Sequence, residues 1–160
     1  MSLEQVGYAG PEGTIQKGAH RQVISGVGAT RQLTAAESGA LCLMDRAAGV
    51  VYTLPTPVAG MQFEFLATVA VTSNAYKVIT KTIASQFIVG GVIMGDVTVA
   101  QSGDYFEADG TTHVAISEGG STTGGLLGDH FVLTAISTTQ WAIHGVTHGA
   151  GTLATPFATS

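Results

Sequence analysis

A chain of 160 residues and 16.3 kDa has room for one domain, and for a core that needs neither disulfides nor metals. Only 11% of its residues are charged, less than half of the roughly 25% usual in globular domains, while glycine takes 22 positions. All six basic residues precede residue 82, where they meet five acids; the second half holds six acids and no Lys or Arg, so its faces are poor partners for phosphate and no nucleic-acid partner is expected.

Residues 1–32 read as an extended arm. Glycines recur at 7, 10, 13, 18, 26 and 28, sustained apolar periodicity is missing, and only Val23-Ile24 suggests a short strand. Thr34-Ala35-Ala36-Glu37 has the form of a capping box, and Gly39 closes it after about one helical turn. Strand signals begin at residue 40. An apolar run at 40–44 is followed by a turn at 45–49 and by alternation through Val50, Tyr52 and Leu54, which Pro55-Thr56-Pro57 stops. From Gly60, the residues Met61, Phe63, Phe65 and Ala67 share one face, with Gln62 and Glu64 on the other. Ser73-Asn74 is a turn before a strand over 76–83. Residues 86–99 are apolar but interrupted by Gly90-Gly91 and Gly95, which points to bends or bulges. Asp109-Gly110 suits a tight turn, so 104–116 is expected to be a hairpin. A polar Gly/Ser/Thr loop at 118–128 leads to strands through Phe131, Leu133 and Ala135 and through Trp141 and Ile143.

The expectation is an all-β fold, a β-sandwich or jelly-roll-like barrel of about eight or nine short antiparallel strands with an extended N-terminal arm. The arm is 1–32, the β body 33–148 and an uncharged tail 149–160. A parallel α/β fold is ruled out because crossover helices are missing from the pattern.

Chemistry is hard to find in this sequence. The acids Glu64, Asp96, Asp104, Glu107, Asp109, Glu118 and Asp129 are scattered and read as solvated strand and turn residues, although two carboxylates across a cleft are the requirement of a glycosidase. His144-x-x-x-His148 is the one histidine spacing that suggests a metal, but it lies in a strand and lacks the Glu of a zinc protease. There is no Gly-x-Ser-x-Gly elbow and no phosphate-binding Gly-Lys-Ser/Thr loop. Cys42, the single cysteine, sits between Leu41 and Leu43 and reads as core filling. No targeting segment is seen, and the uncharged stretches are shorter than the ~20 residues of a membrane-spanning helix, so no membrane partner is expected. No enzymatic activity, cofactor or metal is expected. Tyr8, Tyr105 and Phe157, in loops or termini, are the aromatic candidates for contact with partners, and Lys17, Arg21 and Arg31 the basic ones.

Leu33-Thr34-Ala35-Ala36-Glu37-Ser38-Gly39, Tyr52-Thr53-Leu54-Pro55, Gly60-Met61-Gln62-Phe63 and Asn74-Ala75-Tyr76-Lys77-Val78 form a pattern. Gly128-Asp129-His130-Phe131-Val132-Leu133 and Trp141-Ala142-Ile143 complete it. Over about residues 33–145 this resembles small virion proteins of tailed bacteriophages, namely head decoration (cement) proteins and also the β-structured modules of tail fibres. The resemblance implies a structural protein made in the host cytoplasm and bound to the outer capsid surface, where it stabilises the shell. It implies the major capsid protein and further copies of itself, as a homotrimer, as partners. A tail-fibre or receptor-binding module is the alternative. No catalytic residues are carried over.

Overall fold

The computed structural model describes residues 8–10, 13–15 and 20–160. Strands β1 (Tyr8–Gly10) and β2 (Gly13–Ile15) form a small antiparallel pair. Lys17 and the side chain of Tyr8 lie outside the described residues.

The described body is all-β, with one 3-10 turn at Ala35–Glu37. That turn is the expected capping box: Glu37 Oε2 accepts hydrogen bonds from the Thr34 N–H at 2.8 Å and the Thr34 hydroxyl at 2.9 Å. The strands are β3 (Val23–Ile24), β4 (Thr30–Gln32), β5 (Leu41–Met44), β6 (Val50–Thr53), β7 (Gln62–Ala67) and β8 (Tyr76–Ile79). They are followed by β9 (Phe87–Asp96), β10 (Gly103–Asp109), β11 (Ala115–Glu118), β12 (His130–Ala135), β13 (Gln140–Gly149) and β14 (Phe157–Ala158). One sheet has seven strands in the order β10-β9-β13-β12-β7-β5-β3, and the other has five in the order β14-β11-β8-β6-β4.

From β3 to β8 the chain alternates between the two sheets. As a result β3, β5 and β7 run parallel in one sheet and β4, β6 and β8 run parallel in the other. Strand β13 also pairs parallel with β9. This corrects the expectation of antiparallel strands throughout. A parallel pair needs a crossover long enough to return the chain to the same end of the sheet. From β3 to β8 a strand of the opposite sheet makes that return, in place of a helix, while β10, β11 and β12 make it between β9 and β13. Sequence patterning reports each strand's period but not the sheet it joins, so the parallel pairings were invisible to it.

The expected hairpin over 104–116 is also corrected. Strand β10 pairs antiparallel with β9, from Gly103 opposite Gly95 to Asp109 opposite Val89, while β11 pairs with β8 in the other sheet. Asp109-Gly110 is therefore where the chain leaves one sheet for the other. Asp109 ends its strand by accepting hydrogen bonds from the Thr112 hydroxyl at 2.5 Å and the N–H groups of Thr112 and Thr111 at 2.8 and 2.9 Å.

The inner faces of both sheets share one hydrophobic core. Its central row crosses seven strands through Phe106, Val92, Gly145, Phe131, Phe65, Cys42 and Ile24, each opposite the next in register. Phe65 stacks on Phe131 at 5.3 Å and meets Tyr52 of the facing sheet edge-on at 5.5 Å. Gly145 stands in the row because a side chain there would come within 2.5 Å of Phe131 Cβ. Each fully buried Phe of this kind stabilises the fold by about 1.5–3 kcal/mol. Cys42 is buried as expected, and burial pushes its thiol up to about 12.

Segments of both ends of the chain pair with the β body. Strands β3 and β4 lie within the expected arm, yet they pair with β5 and β6, and Ile24 is in the core. Removing 1–32 therefore removes two strands of the body. The expected tail also folds back: β14 pairs with β11, and Lys77 Nζ donates to the Ser160 oxygen at 2.5 Å. Phe157, expected at a contact surface, is only 6% exposed. Its place opposite Ile116 in the ladder turns its ring into the core.

Candidate docking face

Strand residues opposite one another in register point to the same side of a sheet. Beside the central core row, the neighbouring row of the seven-stranded sheet therefore faces outward. It runs through Tyr105, Ile93, Val146, His130, Leu66 and Leu43, on six adjacent strands. Tyr105 is 61% exposed, Ile93 58% and Val146 49%, while Leu66 and Leu43 are partly covered. The next row outward contains Glu107, Gly91, His144, Val132, Glu64, Leu41 and the exposed Val23. Beyond the β9 end of the face, the 97–102 turn adds exposed Val97 and Val99. An apolar band across a sheet face, rimmed by a few charged groups, is the composition of a protein-binding surface.

Tyr105 is fixed in place on this face. Its ring lies over Gly91, where any Cβ would fall 2.5 Å from the ring Cζ and hydroxyl. The glycine thus gives the tyrosine a flat seat, and the tyrosine covers backbone that the glycine leaves bare. Three of the charged and polar groups at the face, Glu64, Arg21 and His130, form one network. Glu64 is paired with Arg21, and its other oxygen lies 2.6 Å from His130 Nε2. Hydrogen bonding from Arg21 holds the Glu64 carboxyl below its ordinary value, helped by His130 and opposed by partial burial.

Of the other contact candidates, Arg31 pairs with Glu37 beside the 3-10 turn, on the edge strand of the five-stranded sheet. It is not part of the face that holds Arg21 and Tyr105. His144 and His148 both lie on the outer side of β13, but His144 is exposed whereas His148 Nδ1 sits 2.7 Å from Asp129 Oδ1. Among the described residues, no three His, Cys, Asp or Glu side chains converge on a point that would hold a metal. Nor is any helix among them long and apolar enough to cross a membrane.

Two of the acids expected to be solvated, Glu118 and Asp129, are buried together inside the body. Glu118 ends β11 and is fully buried, and neither of its carboxylate oxygens has a hydrogen-bond partner. Asp129 is buried beside it. It accepts from the N–H groups of Gly125 at 2.7 Å, Leu126 at 3.1 Å and His148 at 2.8 Å, as well as contacting the His148 ring. A point at the Cβ position of Gly124 would be 3.1 Å from Glu118 Oε1 and 3.2 Å from Asp129 Oδ2, so the two acids converge on the glycine. Burial, and then the Asp129 charge, raises the Glu118 carboxyl well above its ordinary value. Burial also raises Asp129, with the His148 hydrogen bond opposing it. The signal was present: Glu118 has the same strand parity as the core residue Ile116, which turns its side chain inward.

No family model, no curated protein and no solved structure matches this chain.

Proposed function

We propose that the chain is a structural virion protein, a decoration protein that binds the outer surface of a phage head and stabilises the shell. The observation that carries this reading is the apolar band from Tyr105 through Ile93 and Val146, exposed on an otherwise well-packed sheet. Isolated domains rarely keep aliphatic and aromatic side chains aligned across adjacent strands in water. A charged fraction of 11% supports the same reading, because it leaves less surface that must stay wet. We read the two sheets as the leaves of a β-sandwich, with the outer leaf of seven strands turned toward the shell or toward a second copy of the chain in a homotrimer. Many weak contacts repeated over a lattice would then add up to firm attachment. The resemblance of residues 33–145 to phage virion proteins names the partner, the major capsid protein.

The tail-fibre reading rests on a different observation, the coil of strands β3–β8 that steps between the sheets. Coils of this kind extend by adding rungs, as fibres do. Copy number separates the two. Locating the chain in purified particles by electron microscopy, with its stoichiometry, is expected to find hundreds of copies on the head. A handful of copies confined to the tail would replace the decoration reading with the fibre one.

A further inference from the structure

Glu118 and Asp129 present a problem of charge. Two carboxylates are enclosed together, and one of them has no partner of any kind. Leaving such a group unsatisfied costs about 1–3 kcal/mol, and more if it is charged. The usual remedy is a Lys or Arg, but Lys77, on the strand paired with β11, is bonded instead to the Ser160 oxygen. The His148 ring is already engaged by Asp129 Oδ1. A second buried polar group is also without a partner. The Thr147 hydroxyl is fully buried and unpaired, on the residue just before His148, whose N–H binds Asp129. The loop over the pair, residues 119–128, turns back on itself through the Ser121–Gly124 bridge and four positive-φ glycines, Gly120, Gly124, Gly125 and Gly128. It brings Gly124 against both acids, its Cβ position 3.1 Å from Glu118 Oε1 and 3.2 Å from Asp129 Oδ2.

We propose that the space between Glu118, Asp129 and the 119–128 loop is a binding site for a divalent cation, and that the cation is calcium. The donor set decides the class of metal. With no third His, Cys, Asp or Glu converging here, the remaining ligands have to be hydroxyl and backbone oxygens or water. That is an all-oxygen site on a loop, which suits calcium's flexible coordination of six to eight oxygens better than zinc or the strict octahedron of magnesium. The ion supplies positive charge beside the two acids, gives Glu118 a partner, and ties the end of β11 to the start of β12. It acts as a structural clamp on the 119–128 loop, independent of the docking face.

The test is thermal unfolding of the full chain, first stripped with a chelator and then titrated separately with calcium and with magnesium. Calcium about a hundredfold above its dissociation constant is expected to raise Tm by about 5–10 °C, and magnesium by less. In Glu118→Gln the shift is expected to vanish while the stripped protein stays folded, since the amide fills the same space without the charge. Asp129→Asn serves as the second variant. A wild-type Tm that ignores millimolar calcium would overturn the proposal. So would a calcium shift that survives intact in both variants, because the ion would then be bound elsewhere.

Discussion

At the scale of single residues, the charged groups of this protein divide by what surrounds them. Asp109 is exposed and spends its oxygens on a turn, where the Thr112 hydroxyl and then the N–H groups of Thr111 and Thr112 hold its carboxyl well below the ordinary carboxylate range. Glu64 is partly covered and paired with Arg21 and His130. Because its folded pKa is lowered, Glu64 adds stability that is complete above the ordinary value of 4.5 and is lost as pH falls through its folded value. The stability of Glu64→Gln should therefore decline less steeply in acid than that of the wild type. The two curves are expected to differ by about 0.5–1 kcal/mol at neutral pH and to converge in strong acid, as measured by urea unfolding across pH. Equal differences at every pH would show that Glu64 acts through packing rather than through charge.

At the scale of elements, the parallel seam between β9 and β13 depends on backbone approach. Gly90 sits in β9 at φ 105°, and a Cβ there would come within 2.5 Å of the Ile143 carbonyl oxygen on β13. Gly90→Ala combines that contact with an unfavourable φ, and should cost at least about 2 kcal/mol by chemical denaturation. Gly60→Ala makes the comparison. Gly60 is also at positive φ, 95°, but nothing lies within 4 Å of its Cβ position, so only the backbone cost of about 1–2 kcal/mol applies. If the two variants were equally destabilised, the close approach at β9–β13 would carry no energy. The interrupting glycines in 86–99 were legible as special positions. What they accommodate was not, since the carbonyl that crowds Gly90 lies 53 residues further on.

At the scale of the whole molecule, the seven-stranded sheet has one face in the core and one open face crossed by an apolar band. The double variant Ile93→Lys, Tyr105→Ala should stay folded and lose about 1 kcal/mol of stability, since both side chains are more than half exposed and only the Tyr105 cover over Gly91 is removed. The same variant should lose attachment to the particle or self-association, measured by co-sedimentation with heads and by analytical ultracentrifugation. Unchanged binding in both assays would remove the face from the functional reading. Arg31, on the other sheet, provides the control: Arg31→Ala should disturb its pair with Glu37 and leave attachment unaltered.

The amino-acid pattern by itself determined the strand-rich class, the capping box at Thr34–Glu37, the inward faces of β7, β12 and β13 and the burial of Cys42. These follow from period-two alternation and local turn chemistry, which need only a few neighbouring residues. Tertiary structure alone decided which sheet each strand joined, and with it the parallel pairings, the burial of Phe157 and the membership of β3 and β4 in the body. It also decided that Glu118 and Asp129, eleven residues apart and unremarkable as loop acids, face each other across Gly124. Pairing and burial are set by distant segments competing for the same apolar space, and no local window of sequence contains both competitors.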